Sequence, residues 1–86
     1  MTVDAASTLA LRVLAWLVAS GRIEGLLGWS GMAQDEIRSR VGEPEFLAGV
    51  LMYILSNDAD ASQFCTEQAV PPSDLHTASR ALGEPA

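Results

Sequence analysis

The sequence predicts an all-α, single-domain protein, a compact bundle of five or six helices spanning residues 1–86. Three observations predict it. Apolar residues recur at the helical period in every long segment. No segment alternates as a half-buried strand does. Glycine, proline or asparagine separates each periodic stretch from the next.

The first helix runs from about Asp4 to Ala19. Leu9, Val13, Trp16 and Leu17 share one face, and Leu14 and Val18 widen it. A helix apolar over so much of its circumference belongs at the centre of a fold or at an interface. Ser20-Gly21 closes it. A second, short helix covers Arg22 to about Gly28, with Ile23, Leu26 and Leu27 inward. Gly25 and Gly28 weaken it, each by about 1 kcal/mol against alanine. Ser30-Gly31 makes a turn. The third helix covers Gln34 to Val41. Asp35 and Glu36 in its first turn and Arg38 and Arg40 in its last suit the helix dipole. Gly42 stops it.

The fourth helix begins at Pro44, a favourable first position, and runs to Leu55. Phe46, Leu47, Val50, Leu51, Ile54 and Leu55 form its buried face, and Tyr53 leaves that stripe for a surface. Asn57 or Asp58 caps the fifth helix, about Ala59 to Gln68, with Ala61, Phe64 and Cys65 inward. Pro71-Pro72 breaks the chain, and a sixth helix follows from Ser73 to Leu82 before Gly83. Residues 1–3 and 84–86 are expected to fray.

A shift of 38 residues lays the apolar pattern over itself. Leu9 falls on Leu47, Ala10 on Ala48, Val13 on Leu51, Leu17 on Leu55, Leu26 on Phe64 and Ile37 on Leu75. Two readings stand. Any two helical triplets of like length align this way, or the bundle consists of two pseudo-repeated triplets whose long helices stack as the core.

Composition bounds the function. Eleven acids against five bases, all arginine, give a formal net charge of −6. That field repels phosphate backbones and anionic lipid, so nucleic acid and membrane surfaces are disfavoured partners. Cys65 is the only cysteine, which excludes an internal disulfide and fits a reducing, cytoplasmic compartment. The apolar stretch from Leu9 to Ala19, interrupted by Arg12, falls short of the roughly 20 residues of a membrane span.

Chemistry-bearing constellations are scarce, and neither an enzyme nor a cofactor is expected. The single histidine, His76, has Ser79 one turn away but Asp74 on a different side. One His and one Cys match no zinc spacing. Asp58 and Asp60 lack the glycine and final glutamate of a calcium loop and read as helix-start acids. Cys65, at an inward position, reads as a small core residue.

Two interaction readings remain. Leu26-Leu27, Gly31-Met32 and Ile37 have the spacing of a helix-turn-helix, giving a DNA-binding regulator as the alternative function. Its second helix would put Asp35 and Glu36 against the phosphates, which disfavours it. The preferred reading is a non-enzymatic protein-interaction module, an adaptor or a homodimer. Trp29, in the connection before Gly31, plugs the core or anchors a partner, with the plug the commoner use of a large apolar side chain. Arg38 and Arg40 lie near it in sequence and could rim such a contact, with Met32 beside them and Tyr53 a further surface candidate.

Several segments together resemble a known family. They are Ala15-Trp16-Leu17, Leu26-Leu27, Gly31-Met32, Pro44-Glu45-Phe46-Leu47-Ala48 with the aliphatic run to Leu55, Phe64-Cys65, and Ala78 to Leu82 before Gly83. Their order and spacing are similar to the domain-of-unknown-function family numbered 3572, small alphaproteobacterial proteins. The likeness runs from about Leu9 to Gly83. It implies a short helical protein of the bacterial cytoplasm and brings no catalytic residue, cofactor or substrate. One departure is Ala33-Gln34, where the family usually carries Asp-Pro.

Overall fold

The structure, a computed structural model, describes residues 1–83. Six helices follow one another: α1 Val3–Ala19, α2 Ile23–Ser30, α3 Gln34–Arg40, α4 Pro44–Ser56, α5 Asp58–Gln68 and α6 Pro72–Gly83. Among the described residues there is no strand. Residues 84–86, expected to fray, lie outside the described residues.

Local chemistry sets the boundaries. Thr2 Oγ1 accepts a hydrogen bond from the Ala5 amide at 3.1 Å and so starts α1 at Val3. Gly21 and Gly31 take φ of +74° and +73°, the left-handed conformation glycine adopts without steric cost. Gly31 caps α2, so that helix continues past Gly28 and carries Trp29 on its last turn instead of in a loop. Pro44 opens α4 and Pro72 opens α6, positions where a missing N–H costs nothing. Asn57 caps α5, its side chain accepting from the Asp60 amide and donating to the Asp60 carboxylate.

Three helices, α1, α4 and α6, each pack against the other two and form the centre. Leu17, Val13, Val50, Leu51, Ile54, Phe64 and Leu75 are fully buried there, and no polar or charged residue is buried among the described ones. The long helices of the two sequence triplets thus meet in the core, as the repeat predicts. The likeness stops at the third helices. α6 lies against both α1 and α4, whereas its counterpart α3 makes no packing of that extent with either.

Two of the expected positions are corrected. Val18 does not widen the buried face of α1; it is 54% exposed. Tyr53 does not leave the buried stripe of α4; it is 8% exposed. α4 packs against α1, α2, α5 and α6, so its buried arc is broader than one stripe.

The far end of α1 is tied to α5 by a polar seam. The Arg22 guanidinium donates to Asp60 Oδ1 at 2.6 Å and lies 5.2 Å from the Trp16 ring centre. Trp16 presents its ring to Phe64 edge-on, with centroids 5.7 Å apart. The Trp16 indole N–H donates to Glu67 at 3.3 Å. Trp16 is a core residue with a polar handle, as its place in the sequence predicts.

Cys65 is buried at the inward position expected of it. Burial, and secondarily the nearby Asp74 carboxylate, raises its thiol pKa above the ordinary value. The folded state therefore favours the neutral thiol. The stability this contributes is complete below the pKa of an unfolded thiol, about 8.5, and declines as pH rises beyond it. Two results are expected: slower alkylation of the native chain than of the urea-unfolded chain at pH 7, and an urea midpoint that falls between pH 8 and pH 10. Equal alkylation rates would contradict the burial.

Candidate functional site

A groove opens where α2, the α3–α4 connection and α4 meet. Leu26, Phe46 and Val50 form its apolar floor, with Trp29 and Met32 beside them and Arg40, Glu43 and Glu45 around them. Its volume is about 260 Å³, below the roughly 300–1,000 Å³ of small-molecule sites. A space of that size suits a side chain or two presented by another macromolecule.

Trp29 dominates the groove. It is 49% exposed, so it is not the core plug that a loop tryptophan ordinarily is. Its ring packs against Tyr53, with centroids 5.7 Å apart and planes inclined by 55°. Tyr53 in turn reaches under α2, and a β-carbon at Gly25 would overlap its hydroxyl. Gly25 therefore has a packing role: its missing side chain lets Tyr53 sit below the helix that carries Trp29. A buried tyrosine holds the exposed tryptophan from beneath.

Of the residues singled out in the sequence, the fold brings Trp29, Met32 and Arg40 into one groove. Arg38 stands exposed on α3 and is not part of its lining. Tyr53 contributes from below and not from a surface. Glu43, Glu45, Phe46 and Gly49 complete the groove and were not marked as site residues. Their signal in the sequence is weak, since Glu43 and Glu45 double as acids flanking the start of a helix.

Gly49 is the most informative of these. It sits in the middle of α4, its φ is not positive, and a β-carbon there would meet nothing within 4 Å. A glycine inside a helix costs about 1 kcal/mol relative to alanine. Neither backbone conformation nor packing within the chain requires it. Gly49→Ala is accordingly expected to raise the unfolding free energy by about 0.5–1 kcal/mol, measured by urea denaturation. A loss of stability would show that the position is crowded.

Two further depressions exist. One, between α4, α5 and α6, is lined by Leu55, Asp58, Ala61, Ser62, Pro72, Leu75 and His76. His76, exposed on α6 one turn from Ser79, lines it together with Asp58 and Ser62. The other, along α1, is lined by Arg12, Ala15, Trp16, Ala19 and Gln68. Arg12 spans it, donating to the Gln68 carbonyl and side chain at 3.3 and 3.4 Å. Among the described residues no group of three or more His, Cys, Asp or Glu gathers as metal ligands would. No single described helix is long and apolar enough to cross a membrane; α1 and α2 together reach that length but are bent by 114°.

Comparison with known proteins yields one match. A family model described as "Protein of unknown function (DUF3572)" matches residues 3–85. Neither a curated protein nor a solved structure matches the chain.

Proposed function

We propose that this chain, which belongs to the DUF3572 family of proteins of unknown function, is a non-enzymatic helical interaction module that docks another protein through the Trp29 groove. One observation carries the reading. A tryptophan, the residue most enriched in binding hot spots, stands half out of the surface and packs on a buried tyrosine over an apolar floor. Such an anchor loses little freedom when it is covered, because Tyr53 already restrains it. The compartment proposed is the cytoplasm, where a lone thiol persists unpaired. The helix-turn-helix reading draws less support, because Asp35 and Glu36 stand exposed in the first turn of α3.

The test is affinity capture from the native host with three baits: the wild-type chain, Trp29→Ala and Arg38→Ala. Removing Trp29 is expected to deplete at least one captured protein, while Arg38→Ala retains it. Circular dichroism of the variants verifies that each is folded. A capture profile identical for wild type and Trp29→Ala would refute the reading.

A further inference from the structure

The groove's charge and its glycine specify a partner chemistry. The outer side of α4 carries no charged residue between Glu45 and Asp58. Met52 on that side is 56% exposed, and Ala48 and Gly49 are half-buried beside the groove. The result is a short apolar patch from Ala48 to Met52, one turn or about 6 Å along the helix. The open space over Gly49 lets another backbone approach closely, as small residues do at helix crossings.

At one end of the patch stand Glu43 and Glu45, both exposed. Neither is in an ion pair; among the described residues the one ion pair is Arg22–Asp60. Arg40 is the single cation at the groove, against two carboxylates, in a chain of net charge −6. Two copies of this chain would bring like charges together at this rim, whereas a basic partner would be steered to it.

We propose that the occupant is a basic amphipathic helix of another protein. It crosses α4 at Gly49, inserts an apolar side chain between Trp29 and Phe46, and sets Lys or Arg against Glu43 and Glu45. This proposal rests on the docking reading above and adds to it the chemistry of the partner.

The experiment is selection of displayed amphipathic helical peptides, randomised at their flanking positions, on the full chain. Binders are then measured against four variants: Trp29→Ala, Gly49→Met, Glu43→Gln/Glu45→Gln and Arg38→Ala. Gly49→Met fills the groove from a position where the fold leaves room. The double glutamine variant alters only exposed side chains, so it serves even if Gly49→Met fails to fold. Selected peptides are expected to carry Lys or Arg flanking an apolar anchor. Their affinity falls about fivefold in the double glutamine variant at low salt, and this difference shrinks at high salt. Binding is lost in Gly49→Met and unchanged in Arg38→Ala. Acidic or uncharged binders that still need Trp29 would overturn the partner chemistry and leave the docking reading intact. The absence of binders, or binders indifferent to both Trp29→Ala and Gly49→Met, would overturn both. A concentration-dependent dimer that Gly49→Met dissolves would place a second copy in the groove and overturn the present proposal.

Discussion

Phe64→Ala is expected to lower the unfolding free energy by about 3–5 kcal/mol. The side chain is fully buried and meets the Trp16 ring edge-on. Its removal leaves a cavity and also frees Trp16, whose position supports Arg22 above it and whose N–H reaches Glu67. The polar seam between α1 and α5 therefore loosens together with the apolar core. For 86 residues a typical stability is about 4–13 kcal/mol, so the loss takes a large share of the total. Urea denaturation followed by circular dichroism measures it. A change under 1 kcal/mol would mean that Phe64 does not fill the core between α5 and its neighbours.

Gly25→Ala is expected to destabilise by up to about 2 kcal/mol although it removes a glycine from a helix. Helix propensity alone predicts a gain of about 1 kcal/mol. Against that gain, the new methyl group overlaps the Tyr53 hydroxyl, and overpacking of this kind costs about 1–3 kcal/mol. Tyr53 has little room to yield, since it is buried and covered by Trp29. The cycle with Tyr53→Phe separates the two effects. Without the hydroxyl, the nearest atom to the methyl group would be the ring carbon at 3.4 Å, an ordinary contact. The double variant is thus expected to be more stable than Gly25→Ala alone, a coupling that additive sites would not show. If Gly25→Ala proves stabilising in the wild-type background, Tyr53 does not pass under α2 as described.

This contact also shows where sequence reasoning succeeded and failed. The helices were legible because their limits are encoded locally: Ser20-Gly21, Gly31, Pro44, Asn57 and Pro71-Pro72 each act on their own neighbours. The burial of Trp16, Phe64 and Cys65 followed from periodicity. Tyr53 was misplaced because one stripe was drawn on α4, while the spacing Phe46, Val50, Tyr53 marks a second buried edge at i, i+4, i+7. That edge is covered by α2, a tertiary contact with Gly25 as its one sequence trace. Read as a mere weakness of its helix, that glycine gave no hint of a close approach. Trp29 stood open between core plug and partner anchor for a related reason. The left-handed Gly31 extends α2 by a half turn, which moves the tryptophan from a loop onto a helix and out over Tyr53. The end of α5 at Gln68 was legible from Pro71-Pro72 just beyond it, although Ala69 takes the left-handed cap that glycine usually fills.

The groove was half legible. Trp29, Met32 and Arg40 converge, whereas Arg38, two residues before Arg40, points elsewhere on a seven-residue helix. Alternate positions on a helix do not share a face, so Arg38 and Arg40 could not both rim one contact. Gly49 and the two glutamates acquire meaning only once α2 is placed beside α4.

Hydroxyl-radical footprinting of the chain, free and in complex with a captured partner, tests the central claim most directly. Protection of Trp29 and Met32 on binding, with His76 at the far depression oxidised to the same extent in both states, is the predicted result. Undiminished oxidation of Trp29 in the complex, with protection around His76 instead, would contradict it.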